Sequence, residues 1–263
     1  MKASELTDKV EIIPTPISAL NEIMGGIATK RITEVAGPWS VGKSTFALQF
    51  VANAQNRGLK AYWADAERTF TVEYAEKLGV DCEALEYDKT EVAEDLLDHL
   101  EEWARTHKNG VIVIDAIGAL MPREELEKGA SGRSIGVQAR LVGSFCRRIV
   151  PTLDEKNHAL IVCNHTFTDP STTRLKSSGG MKLEFAKSTA LWLRPAYGKP
   201  DKRSASGAKT IKYIEAEIKK DKVSGNEGKK VVLELIPSHG FVSDVVEVPA
   251  PKKRGRPKQL ETV

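Results

Sequence analysis

Residues 37–44 read Gly37-Pro38-Trp39-Ser40-Val41-Gly42-Lys43-Ser44, a complete G-x-x-x-x-G-K-S phosphate-binding loop. Each position answers a demand of triphosphate chemistry. Gly37 and Gly42 let the backbone turn tightly, so that successive N–H groups point at phosphate oxygens. Lys43 sets a cation against β- and γ-phosphates, and Ser44 offers a hydroxyl to Mg²⁺. The flanks agree with this reading. The segment 31–36 reads as a short buried strand, and 44–53, with Thr45 in its first turn, reads as a helix aiming its positive dipole end at the phosphates. An ordinary Gly-containing turn is the alternative, and the strand–loop–helix context argues against it. Asp115 closes the run Val-Ile-Val-Ile, where it can hold Mg²⁺ or cap a helix. Glu67 ends the strand after the loop's helix. A carboxylate there can orient or deprotonate an attacking water, or it can be a surface acid at a strand end. Tyr74, seven positions on, can stack on adenine or pack in the core.

Apolar runs alternate with helical patterns along the chain. Strands are expected over 59–64, 111–115 and 159–163, and helices over 72–78, 91–106 and 136–153. The helix over 91–106 puts Val92, Leu96, Leu97, Leu100 and Trp103 on one face. The run over 111–115 lacks polar alternation, as a central parallel strand covered on both faces should. Polar loops are expected over 121–133 and 166–180, and further strands over 189–193, 210–219 and 230–236. The predicted fold is a doubly wound α/β domain with a mainly parallel sheet and antiparallel strands at its C-terminal end. No internal repeat is visible.

A chain of 263 residues can bury a full core. No apolar run is long enough to span a bilayer, and the first residues lack a signal-peptide hydrophobic stretch. Cys82, Cys146 and Cys163 are scattered without a CxxC, as reduced thiols in a cytoplasmic protein would be. The net charge of +3 hides an asymmetry. Lys252, Lys253, Arg254, Arg256 and Lys258 crowd the last thirteen residues against Glu261 alone, so the body is near neutral.

Several blocks in order make the resemblance specific. The loop resembles GPESSGKT of the RecA recombinase family. Asp65-Ala66-Glu67 followed by Tyr74-Ala-Glu-Lys-Leu-Gly-Val-Asp81 resembles its DAE…YARKLGVD at equal spacing. The block from Val111 to Leu120 resembles VIVVDSVAAL, Asn164-His165 stands at a strand-ending N-Q, and 179–185 resembles GGNALKF. The resemblance runs from Pro14 to Phe241 and implies a RecA-like ATPase core using ATP and Mg²⁺. It implies that Glu67 activates water, Tyr74 stacks on adenine, Asp115 serves Mg²⁺ and position 165 relays between nucleotide and DNA. The segments 122–135 and 166–180 are then the ones that grip single-stranded DNA, with Arg133, Ile135, Gly136 and Arg140 in or after the first and Arg174, Lys176, Gly179 and Gly180 in the second. Lys220 and Lys222 match a lysine pair that reaches a neighbouring subunit's γ-phosphate, cations in trans that switch hydrolysis on by assembly. A solvated strand end is the plainer reading of those lysines.

The departures are informative. His165 replaces Gln, keeps a hydrogen-bonding ring and adds pH dependence. Thr71 replaces an Asp near the adenine, and Glu184 replaces a Lys of the subunit interface. A short assembly segment is expected over 1–13, where Leu6, Val10, Ile12 and Ile13 offer a pairing strand in place of a reduced N-terminal helix. The ATPase core is expected over 14–246. A basic tail over 247–263 stands in place of a C-terminal DNA-gateway domain. Its Arg254-Gly255-Arg256-Pro257, flanked by lysines, resembles an AT-hook suited to an A·T minor groove; an unspecific basic tether is the alternative.

The expected function is an ATP-dependent recombinase that assembles on single-stranded DNA and pairs it with duplex DNA, as a homo-oligomeric helical filament favoured over a ring, with no membrane partner. Two competitors stand beside it: a RecA-fold ATPase that remodels or loads other proteins as a ring, and a DNA tether whose nucleotide site only controls assembly. Glu67 and Asp115 argue against the tether. Arg174, Lys176 and Lys182 in and after the second loop argue against the remodeller.

Overall fold

The computed structural model describes residues 9–129, 136–169, 175–204 and 209–246. Their elements run β1 (Ile12–Ile13), α1 (Ser18–Met24), β2 (Ile27–Ala28), β3 (Arg31–Gly37), α2 (Lys43–Gln55), β4 (Ala61–Asp65), α3 (Val72–Lys77), β5 (Leu85–Asp88), α4 (Ala93–Thr106) and β6 (Val111–Asp115). They continue with α5 (Arg123–Lys128), α6 (Val137–Lys156), β7 (Ala159–Thr168), β8 (Leu175–Ser177), α7 (Gly180–Ala186), β9 (Thr189–Pro195), β10 (Lys202–Arg203), β11 (Lys209–Asp221), β12 (Lys230–Ile236) and β13 (Gly240–Val246). The main sheet has the order β13-β12-β11-β9-β3-β7-β6-β4-β5, with β10 and β8 paired to β11 and β7. From β9 to β5 every neighbouring pair is parallel, and β9-β11-β12-β13 are antiparallel.

The unbroken apolar run of β6 has a simple cause. Val111 and Val113 enter one core with α2, while Ile112 and Ile114 enter a second with α4 and α6. Successive side chains point to opposite faces, so a strand covered on both needs apolar residues throughout. β7 divides in the same way, Ile161 and Cys163 against Leu160 and Val162. Parallel strands need crossovers, and these place α2 on one face and α4 and α6 on the other.

Three expectations are corrected. The 121–133 loop contains α5, and 166–180 contains the end of β7 and β8, which pair antiparallel through Thr166–Ser177, Phe167–Lys176 and Thr168–Leu175. Sequence patterns over short polar stretches lack the apolar periodicity that marks an element. Of the strand foreseen as an offer to a neighbouring copy, Ile12 and Ile13 are engaged at home, paired with Ala28 and Ile27 and with Ile13 buried, while Leu6 lies outside the described residues. The sequence pattern marks none of α1, β5, α7 and β13.

Candidate nucleotide site

The phosphate-binding loop joins the central strand β3 to α2, whose Phe46, Phe50 and Val51 are fully buried and fix the helix against the sheet. Gly42 caps α2 in the left-handed region at φ 93°, which a residue with a Cβ rarely adopts. A Cβ there would also stand 2.8 Å from the Phe241 ring and 2.9 Å from Leu235. Gly37 corrects the sequence reading. It is not among the positive-φ glycines; instead a Cβ would lie 2.3 Å from the Leu193 carbonyl of β9. Close packing, rather than a tight turn, requires glycine at 37. Ser40 is itself left-handed, at φ 60°, and its carbonyl accepts from Lys212 of β11 at 3.1 Å. Trp39, at the tip, is 84% exposed, while Val41 is buried.

Lys43 donates to the carbonyls of Gly37 (3.2 Å) and Pro38 (2.9 Å), and its Nζ lies 3.4 Å from His165 Nδ1. Burial pushes its pKa down, against the upward pull of Cys163, Glu67 and Asp115. The other imidazole nitrogen, Nε2, is 2.5 Å from Glu67 Oε1. Lys43, His165 and Glu67 therefore form one line, contributed by three different segments. Their side chains come within reach because β3 and β7 run in register, with Gly37 beside His165.

Glu67 is held by two anchors. Its amide and that of Ala66 donate to the Asp115 carbonyl, at 3.1 and 2.8 Å. Asp65, almost fully buried, accepts from the amides of Thr69 and Phe70 and from the Tyr87 hydroxyl, the last at 2.9 Å. Asp65 thus shapes the turn that presents Glu67, a role the motif Asp-Ala-Glu hinted at only by its proximity. Tyr87, on the unforeseen β5, carried no signal.

The donor set at Asp115 fits a hard divalent cation. Its carboxylate is buried, has the Ser44 and Cys163 side chains close by, and keeps Oδ1 without a hydrogen-bond partner. Burial raises its pKa to about 6, with Glu67 nearby adding to the rise. A buried carboxylate oxygen without a donor, beside a serine hydroxyl at a phosphate loop, is what Mg²⁺ coordination by oxygen requires. Tyr74 lies partly buried against the α2-side core, and its hydroxyl sits 2.9 Å from Thr45 Oγ1. It therefore packs in the core and stands beside the loop at once.

Two carboxamides connect this centre to the loop segments. Asn164, fully buried, donates from Nδ2 to Glu34 and to the Ser178 carbonyl, each at 2.8 Å, and accepts from the His165 amide. Gln138, on the first turn of α6, donates to the carbonyls of Gly118 (2.9 Å) and Leu120 (2.8 Å), just beyond Asp115. Arg140 is exposed one turn into α6, whose cap Gly136 is left-handed at φ 73°. Gly179 and Gly180 are left-handed at 94° and 77° and start α7, and Lys176 pairs with Asp169 at 2.5 Å. A bulge in the β9–β11 pairing falls between Ile218 and Lys220. Lys219 lies over the Trp192 ring, and Lys220 donates to the Glu184 carbonyl. The amide of Lys222 donates to the Ser188 carbonyl. Arg133, Ile135, Arg174, Lys252, Lys253, Arg254, Gly255, Arg256 and Lys258 lie outside the described residues.

A parallel sheet whose central strand ends in this loop, at the N-terminus of a buried helix, defines a phosphate-binding-loop α/β protein. Residues 1–242 match the model of the RecA N-terminal domain. Protein RecA of Thermus thermophilus is 35% identical over 253 residues, which is 91% of this chain and 72% of that protein. Protein RecA of Streptomyces coelicolor is 34% identical over 229 residues, 83% of this chain and 60% of the relative. Protein RecA of Leifsonia xyli is 35% identical over 219 residues, 80% and 60%. The chain belongs to the RecA family. Among the described residues no helix is long and apolar enough to cross a membrane.

Proposed function

We propose that this chain is a DNA-dependent ATPase of homologous recombination, which assembles as a filament on single-stranded DNA and promotes pairing and strand exchange with duplex DNA. One observation carries the reading. The line Lys43–His165–Glu67 joins the phosphate loop to the carboxylate strand, and Asn164, the neighbour of His165, is bonded to the Ser178 carbonyl in the second loop segment. The chemistry and the loop segment therefore share one hydrogen-bonded chain.

In this reading Lys43 and the N–H groups of the loop bind the β- and γ-phosphates, and Tyr74 stacks on the base. Ser44 and Asp115 would hold Mg²⁺, which when bound supplies charge neutralisation at the phosphate oxygens. Glu67 takes the proton of the attacking water. His165, touching both Glu67 and Lys43, senses whether the γ-phosphate site is filled. Lys220 and Lys222 act on a neighbouring copy, so hydrolysis awaits assembly. Arg140 and Lys176 contact DNA phosphates, and the basic tail collects duplex.

D-loop formation by the purified protein tests the whole reading. Joint molecules are expected with ATP and homologous duplex, and helical filaments by electron microscopy on single-stranded DNA. Rings with no joint molecules would favour the remodeller. DNA binding with neither assembly nor hydrolysis would favour the tether.

A further inference from the structure

A charged pair is buried behind the site. Glu34 lies in the middle of β3 with a fully buried side chain, and Lys187 precedes β9 with 2% of its side chain exposed. Their charged atoms are 2.5 Å apart. Such a pair is a weak source of stability, because the cost of removing two charges from water rivals their attraction. Stability alone does not account for it.

The bonds of Glu34 show what else it does. Oε2 takes Lys187 and Oε1 takes Asn164 Nδ2. Asn164 spends its other N–H on the Ser178 carbonyl and its oxygen on the His165 amide. A flipped carboxamide would set oxygen against the Glu34 carboxylate and N–H₂ against the His165 N–H, both repulsive. Lys187 fixes the Glu34 carboxylate through Oε2 and leaves Oε1 to accept from Asn164, which gives Asn164 a single orientation. Lys187 also meets Glu184 Oε2 at 2.5 Å, and the backbone carbonyl of Glu184 receives Lys220. The acidic residue at 184, unexpected from the family pattern, thus has its partner inside its own chain.

We propose that Lys187 is a positioning residue. Through Glu34 it locks Asn164 between Ser178 and His165, and so couples DNA held by the second loop segment to hydrolysis at the nucleotide site. The inference rests on the function proposed above.

The test compares wild type with Lys187→Met and with two double variants, Lys187→Met combined with Glu34→Gln or with Glu34→Met. The single variant strands a buried carboxylate and should melt lower. The doubles remove both charges and should melt near wild type. In a cooperatively melting double, the KM for ATP without DNA should stay close to wild type. The factor by which single-stranded DNA raises hydrolysis should fall about tenfold, within the usual range of a coupling between sites. Unchanged stimulation in such a double makes the pair merely structural and overturns the proposal, as does the failure of both doubles to fold. Wild type without DNA stimulation would defeat the functional reading itself, and the inference with it. Stimulated wild type beside an equally stimulated double defeats the inference alone.

Discussion

The two halves of the sheet divide the work unequally. The parallel half, β3 with β7, β6 and β4, delivers Lys43, Ser44, Glu67 and Asp115 at or beyond its strand ends, and Asn164 and His165 from within β7. The antiparallel half lends structure to the same loop from outside. Leu193 of β9 closes on Gly37, Lys212 of β11 holds the Ser40 carbonyl, and Leu235 and Phe241 press on Gly42. Gln49 of α2 clasps Phe241 by both its amide and its carbonyl, at 2.8 and 3.0 Å. The phosphate loop is thus built by one half and kept in shape by the other. Loss of a residue should cost rate in the first and stability in the second.

The largest effect should come from Glu67→Gln. It removes a proton acceptor while keeping shape, so hydrolysis should fall by roughly 10²–10⁴ with ATP affinity retained. An unchanged rate, measured in single turnovers, would take the chemistry out of the parallel half. Gly42→Ala probes the buttress. It forces a Cβ into the left-handed region and onto Phe241, at a cost on the order of 2–4 kcal/mol in denaturant unfolding. Adding Phe241→Leu should recover part of that loss. Strict additivity in the double-mutant cycle would show that β13 does not press on the loop.

Asp115→Asn reverses the usual trade. The folded-state pKa near 6 lies above the ordinary carboxylate value, so the folded protein holds this proton more tightly than the unfolded chain does. That contribution to stability is present at low pH and is lost as pH rises through about 6. The loss approaches a slope of roughly 1.4 kcal/mol per pH unit between the unfolded and folded values. Without Mg²⁺, the variant should therefore melt higher than wild type at pH 8 and near it at pH 4, while losing Mg²⁺-dependent hydrolysis. A lower melting temperature at pH 8 would show that Asp115 is satisfied as a charge. The smallest effect should follow deletion of 251–263, beyond both halves. Duplex affinity should weaken and its salt slope flatten by up to about 0.9 per lost phosphate contact, with DNA-stimulated hydrolysis intact. A loss confined to A·T-rich duplex would support a minor-groove hook; no loss on A·T-rich duplex removes it.

The same division explains what the sequence disclosed. The α/β class, the parallel core and the residues at the strand ends were legible, because buried parallel strands and phosphate loops leave contiguous patterns. Glu67 and Asp115 were named from the residues at their own strand ends, and His165 through the family resemblance. Phe241, Gln49, Lys212 and Gln138 were not, because their role is a contact across 18 to 192 positions and no local pattern marks it. Glu34 and Lys187 were missed for a different reason. A charge inside an apolar run reads as noise until its partner, 153 residues away, is seen beside it.

Trp39 crowns the phosphate loop almost bare, whereas Trp63 and Trp103 are buried. An indole so placed is an optical probe supplied by the chain itself. Its emission should be red-shifted and open to acrylamide quenching in the free protein. Ligand arriving at the loop, or another copy packing over it, should shift the colour and shield the ring. With the remaining tryptophans replaced by phenylalanine, stopped-flow fluorescence would time the first contact at this loop without a dye or a label.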